Sequence, residues 1–438
     1  MKRKRGMIRK MKILLKNIGI VTLSNNEYIS NGYIGIEDSK IVYVGQEKPD
    51  FIADTIIDGK NKLAMPGLIN SHTHSPMTLL RSYADDMNLE KWLFDYIFPV
   101  EEKLKADDIY WGSMLAIAEM IKSGTTCFAD MYYFMDEVGK AVLDTGIRAS
   151  LSRGCQKFSS EDENGTIRLK ENIYLYENYH LKGNGLITVM IGPHAPYTCI
   201  PDYLKECFST AKSLGIGMHI HLAETKTEID TITERYGKPS VELCYELGIL
   251  DDTVVGAHCV HINQNEIEML KETGVNIAHN PTSNLKLGSG FAPISEYFDC
   301  GINICLGTDG ASSNNNLNMF EEMNLVSMIS KGIHNDATLI KAYDVLKMAT
   351  INGAKALGLN NIGKIEEGYI ADIIILDLDK PHFYPRHNML SNLVYSAQGS
   401  DVDTVIVNGE ILLKNREYTK LDFEKIKFNI EKIYKRIF

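Results

Sequence analysis

No stretch of this chain approaches the ~20 apolar residues that crossing a bilayer requires, so no membrane-spanning helix is expected. Near the start, residues 13–23 are interrupted by Lys16 and Asn17 and lack a small-residue cleavage site, which argues against a secretory leader. Closely paired cysteines are missing too. Eight Cys are scattered from Cys127 to Cys305 without a CxxC pair, suiting reduced thiols in a cytoplasmic protein better than a disulfide framework. Cys199 and Cys259 lie near histidines but read as packing residues. Positive charge is not in excess: 46 Lys and Arg against 57 Asp and Glu give a formal charge of -11. Phosphate neutralisation needs clustered cations, so the charge argues against a broad nucleic-acid surface. The basic cluster Lys2, Arg3, Lys4 and Arg5 could serve as a targeting or nucleic-acid arm, but reads rather as a frayed tail or an early start, given Met7 and Met11 downstream. Internal repeats and low-complexity tracts are absent.

What is present is an ordinary globular composition, 44% hydrophobic and 24% charged over 438 residues. The first ~60 residues read as short strands over 12–23, 33–45 and 55–65, with Asn31-Gly32 and Asp58-Gly59 as turn signals. The same style returns over 363–377 and 402–414, where Asn408-Gly409 marks a hairpin. Neither end has enough strands to close a core alone, so one small composite β-sandwich built from both is expected. Between them, apolar runs alternate with amphipathic helical stretches such as 107–122, 201–214, 226–247 and 263–273. Helices over 317–331 and 337–357 would follow the last strand. The strands should end near His74, Asp130, Arg153, His194, Glu224, His258, Asn280 and Asp309, the count of a (β/α)8 barrel of the TIM type. The expected division is 1–64 for the N-terminal part of the sandwich, 65–362 for the barrel, and 363–438 for the C-terminal part with a terminal helix.

Of the twelve His, those at 72, 74, 194, 219, 221, 258, 261 and 279 fall at or just past these strand ends, where barrel enzymes carry their chemistry. His72 and His74 are two apart on a strand and share a face, so both can reach one ion. His219 and His221 repeat the pattern on the fifth strand. Both face inward, so geometry leaves the choice of a third ligand open, with His221 nearer the mouth. Asp309, ending the eighth strand, would be a buried carboxylate in need of a cation, or else a helix cap. Three imidazoles and one carboxylate leave room for water, as a catalytic zinc site requires, although iron or manganese accepts the same donors. Hydrolysis also needs a proton carrier. Glu224, three residues past His221, is placed to shuttle it; His258 could orient the nucleophile, and Asp309 could take the water's proton.

Residues 66–74 (PGLINSHTH), 221–225 (HLAET), 257–261 (AHCVH), 279–286 (HNPTSNLK) and 307–310 (GTDG) together resemble the amidohydrolase superfamily, most closely its methylthioadenosine/S-adenosylhomocysteine deaminase branch. The likeness runs from about Ile13 through most of the chain. It implies hydrolytic deamination of an adenosine-type nucleoside, with His72, His74, His221 and Asp309 on one zinc, Glu224 as proton shuttle and His258 beside the nucleophile. It thereby favours His221 over His219. Binuclear relatives carry a modified lysine at the end of the fourth strand; here that strand ends at His194, which implies a mononuclear site and a substrate contact for His194. The resemblance further implies Trp92 packing near the nucleoside, Glu101 accepting from ribose hydroxyls, and Arg153 and Arg168 holding a homocysteine carboxylate. An arginine's planar fork suits that task. Residues 157–166, between the arginines, depart from the pattern in length and composition.

Guanine or pterin deamination and triazine hydrolysis would use the same metal donors, so only the substrate pocket separates them. A non-catalytic metal- or nucleoside-binding barrel would be expected to have lost Glu224, His258 or a ligand, and none is lost. The expected partner is a small nucleoside, with neither nucleic acid nor membrane; a homo-oligomer is compatible with the sequence.

Overall fold

The computed structural model describes residues 11–24, 28–87 and 89–438. The basic start lies outside the described residues. Both ends of the chain enter one nine-stranded sheet. Its N-terminal part comprises Lys12–Val21, Tyr28–Glu37, Lys40–Gly45, Thr55–Asp58 and Lys62–Pro66. Ile373–Asp377, Val402–Val407, Glu410–Lys414 and Glu417–Tyr418 complete it, and the halves meet where Lys62–Pro66 pairs antiparallel with Ile373–Asp377.

Alternation along the strands gives this sheet two apolar faces. Ile13, Leu15, Ile34, Ile36, Ile373 and Ile375 enclose a core of their own. Leu63, Met65, Ile374 and Leu376, on the other face, join the main core of the barrel. A flanking unit formed by both chain ends is thus fixed on the barrel by one continuous packing layer.

The hairpin at Asn408-Gly409 and the turn at Asp58-Gly59 form as expected. Asn31-Gly32 does not turn. Gly32 lies within Tyr28–Glu37 opposite Ile18, at an irregularity in register. The chain reverses instead at Asp38 and Ser39, splitting the expected 33–45 strand into a hairpin. Asp38 takes φ 54, a left-handed conformation that short polar side chains tolerate.

The barrel strands are Leu68–Thr73, Thr125–Tyr132, Arg148–Cys155, a broken fourth of Ile187–Val189 and Gly192–Pro193, then Met218–Leu222, Val254–His258, Asn276–His279 and Ile304–Leu306. They form two parallel groups. Backbone hydrogen bonds join the groups at both seams: His219 N to Ile191 O at 2.9 Å, and Asp309 N to His72 O at 3.0 Å. The result is a distorted (β/α)8 barrel. Two expected helices are broken. Residues 226–247 divide into Lys226–Tyr236 and Ser240–Glu246, because Gly237 takes φ 75 and Pro239 follows. The 337–357 stretch divides at Thr350 into Ala342–Met348 and Ile351–Ala356. Among the described residues no helix is long and apolar enough to cross a membrane.

Candidate active site

His72 and His74 project from the first strand into the barrel mouth, and His221 faces them from the fifth. His221 Nε2 lies 3.2 Å from His74 Nε2. Each ring gives its other nitrogen to a backbone carbonyl, His74 Nδ1 to Met131 O at 2.6 Å and His221 Nδ1 to His194 O at 2.8 Å. A carbonyl only accepts, so both Nδ1 atoms carry the proton and the two Nε2 lone pairs point at each other. Without a cation, or a proton on one Nε2, between them that approach is repulsive. Asp309 Oδ1 is 3.3 Å from His74 Nε2 and 3.6 Å from His72 Nε2, and the latter is buried with no hydrogen-bond partner. Burial pushes the His72 imidazole down to about 4 and His221 well below its usual value, leaving both neutral. Donor atoms of His72, His74 and Asp309 lie within 4.8 Å of one another, as do those of His72, His221 and His258. Imidazoles held by carbonyls beside a carboxylate are the donor set of zinc. The residues fit a single divalent ion.

Asp309 is aimed by its surroundings. Ser283 Oγ and Ser313 Oγ donate to its Oδ2 at 2.6 and 2.8 Å, and Gly310 N donates to Oδ1 at 2.8 Å. Burial opposes its ionisation, while these three donors favour the charged form. Gly307 lets the eighth strand approach the first this closely. A Cβ there would meet His72 O at 2.7 Å and His72 N at 2.8 Å.

Glu224 and His258 complete the rim. The buried Glu228 carboxylate accepts from Ala223 N and Glu224 N, both at 2.9 Å, while Ser240 Oγ donates to it at 2.7 Å. This clamp holds the turn, with Ala223 at φ 51, that presents Glu224. Burial raises the Glu224 carboxyl. His258 Nδ1 is 2.8 Å from Asn284 Oδ1, and its Nε2 is 3.9 Å from Glu224 Oε2. Burial alone would depress His258, but the charges of Glu224 and Asp309 outweigh it and the imidazole is raised.

Above these groups an inner chamber of about 90 Å³ is lined by His74, Trp92, His194, His221, Glu224 and Asp309. An outer cleft of about 800 Å³ contains Arg153 and Arg168. Glu101, Tyr133 and Gln156 border both spaces. The sequence-expected residues therefore fall into two groups, with the arginines away from the histidines. His72, fully buried, sits beneath the inner chamber. His194 Nδ1 is 2.9 Å from Thr198 Oγ1, and its ring lies 4.8 Å from that of His221. Trp92 is buried, with its indole nitrogen unpartnered. Tyr132 donates its hydroxyl to Glu101, whose carboxyl is raised by burial against that bond. Arg153 pairs with Glu171 and Arg168 donates to Gln156 O at 2.8 Å.

Sequence reasoning missed Glu228, Tyr132, Tyr133 and Glu171. Glu228 carries a faint signal, an acidic residue four past Glu224 at the start of a helix, but nothing in sequence separates it from a solvated helix face. Cys199 and Cys259 are buried with burial-raised thiols, as packing residues would be.

Comparisons with known proteins agree with this geometry. Residues 63–412 match the model of the amidohydrolase family, and residues 12–51 match the BsNagA composite domain. The chain is 50% identical over 429 residues to a 5-methylthioadenosine/S-adenosylhomocysteine deaminase of Thermoanaerobacter pseudethanolicus, covering 98% of this chain and 99% of the relative. Among solved structures, a zinc-bound adenosine deaminase from Xanthomonas campestris superposes with a TM-score of 0.93 at 32% identity, covering 98% of each chain. A zinc complex of atrazine chlorohydrolase from Arthrobacter aurescens TC1 superposes with a TM-score of 0.91 at 26% identity, covering 96% of this chain and 100% of that one.

Proposed function

The chain belongs to the amidohydrolase family, and from that premise we propose that it is a zinc-dependent aminohydrolase converting an adenosine-type nucleoside to its inosine analogue and ammonia. The opposed Nε2 lone pairs of His74 and His221, beside Asp309 and the orphaned His72 Nε2, carry this reading. We assign these four residues to one zinc ion. Zinc bound there supplies Lewis acidity that brings the pKa of a water down to about 7. His258 is kept out of the ligand set because it faces the proton shuttle, its Nε2 3.9 Å from Glu224 Oε2, and its Nδ1 is held by Asn284 Oδ1.

The remaining work falls to side chains. Asp309, ionised, accepts the proton that water gives up as it adds to C6 of the purine. Glu224, whose carboxyl burial raises, gives a proton to ring N1 and takes one back from the added hydroxyl, while Asp309 passes its own to the departing amine. His258, tethered by Asn284, fixes the nucleophile through Nε2. His194 and Trp92 border the purine, Glu101 accepts from ribose hydroxyls, and a tail on C5′ extends into the outer cleft, where Arg153 and Arg168 receive a carboxylate.

Triazine hydrolysis would need neither Glu101 nor the arginines, and the relatives at about half identity are named for methylthioadenosine and S-adenosylhomocysteine. The test is zinc-loaded protein with S-adenosylhomocysteine, 5′-methylthioadenosine, adenosine and guanine, following the absorbance change from adenine to hypoxanthine. Turnover of an adenosine derivative is expected. Reaction of guanine alone would overturn the substrate while leaving the metal site standing.

A further inference from the structure

The outer cleft holds one feature that the proposed function does not use. Arg153 Nε donates to Glu171 Oε2 at 2.6 Å. The two partners are unequally fixed. The Arg153 side chain is 12% exposed, lies over the Tyr133 ring with 5.1 Å to its centroid, and donates through Nη1 to Gly154 O. Glu171 is 50% exposed. The arginine is anchored and the carboxylate can move.

Glu171 and Arg168 both stand on the helix Glu163–Tyr179, three residues apart and so on one face. That face brings an anion and a cation to the cleft wall beside the Arg153 cation. The charges alternate as an α-amino acid does, with its carboxylate and ammonium one carbon apart. A tail carboxylate that settles on the arginines competes with Glu171 for Arg153, and Glu171 then needs a cation. An ammonium group on the same tail supplies it. A tail with a carboxylate and no ammonium meets Glu171 as a like charge, and a methylthio tail meets neither.

We infer that Glu171 is a specificity-determining residue that exchanges Arg153 for the ammonium group of a zwitterionic amino-acid tail on the nucleoside. This rests on the nucleoside reading above and names the tail chemistry that the same cleft selects.

The test compares Glu171→Gln with the unchanged zinc-loaded enzyme on four 5′-thioethers of adenosine: methyl, 3-aminopropyl, 3-carboxypropyl and the full homocysteine tail. We expect kcat/KM to fall about 3- to 5-fold for the two amine-bearing substrates, the upper part of the range for a partly exposed ion pair. The methyl compound should change less than about twofold, and the carboxypropyl compound should improve once the opposing charge is gone. Opposite signs within one series cannot come from a loosened helix. Equal losses on all four, or unchanged amine-bearing substrates, would overturn the inference. Calorimetric titration of the four compounds into Glu224→Gln and the Glu224→Gln/Glu171→Gln pair reads the same preference without turnover. Tail discrimination there, with no deamination by the unchanged enzyme, would sink the deaminase reading alone. Deamination with no effect of Glu171 would sink only this one, and no binding by any compound would sink both.

Discussion

Nε2 of His219 lies 2.9 Å from Nδ1 of His72, below the barrel mouth. For His72 to offer Nε2 to a cation, its Nδ1 must carry the proton, and His219 Nε2 must accept it. In that arrangement the deeper histidine of the second HxH pair holds the tautomer of a proposed ligand on the far side of the barrel. His219→Phe should lower zinc affinity about 10- to 100-fold, as loss of such outer partners does elsewhere. Competition against a chelator measures it. Unchanged affinity would mean that the His72 ring is oriented by packing alone.

Glu224→Gln preserves shape and removes the exchangeable proton. Turnover should fall about 10²- to 10⁴-fold, while the metal content per chain stays that of the unchanged protein. A variant that lost zinc together with activity would make Glu224 part of the metal site. A variant that kept turnover would move the proton transfer to His258.

Much of this centre was legible because chemistry recurs at strand ends. His72, His74, Asp309 and the pair His219 and His221 stand out once eight strands are counted, and the preference for His221 came from the family resemblance. The flanking sheet was legible from its turn residues, with Asn31-Gly32 the exception. There the dipeptide was overridden by pairing of the flanking apolar residues with Lys12–Val21. Glu228 and Glu171 were opaque for a different reason. Their roles depend on which backbone amide or guanidinium faces them, and that is fixed by packing between elements distant in sequence. His219 was readable as the deeper of two inward-facing histidines, but not its partner.

Buried histidines and buried carboxylates should give the metal-free protein a two-part pH response. Burial holds His72 at about 4 and His194 and His279 at about 3, against 6.5 for a free imidazole. Below 6.5 the unfolded chain therefore binds more protons than the native one, and stability falls with pH. Burial also raises Glu228 and Glu322 to about 7 and Asp130 to about 6, from 4.5 for Glu and 3.8 for Asp. There the native state takes the proton first, so stability rises as pH drops towards the unfolded values. The two sets oppose each other between about 4.5 and 6.5, and only the histidines still act below that window. The Tm of metal-free protein should change little from pH 7 to 5 and fall steeply under about pH 4.5. A steady decline beginning at pH 7 would show that these carboxylates are ionised in the native state.

Asp372 tests how the flanking sheet is held on the barrel. Its carboxylate accepts from Arg148 Nε at 2.7 Å and Nη2 at 3.1 Å, and from Asn408 N at 2.7 Å. Arg148 opens the third barrel strand and also donates to Gly185 O at 2.7 Å, and both side chains of the pair are almost fully buried. Removing one partner strands a charge where water cannot reach it. Asp372→Ala should therefore cost about 3–5 kcal/mol, read as a fall in the urea midpoint. Replacing both partners with apolar residues, as in Arg148→Met with Asp372→Leu, should recover part of the loss, because the isolated guanidinium goes with its partner. If the double variant is as unstable as the sum of the single ones, the pair contributes through its hydrogen bonds to Gly185 and Asn408. The seam between sheet and barrel would then be held by backbone groups and not by charge.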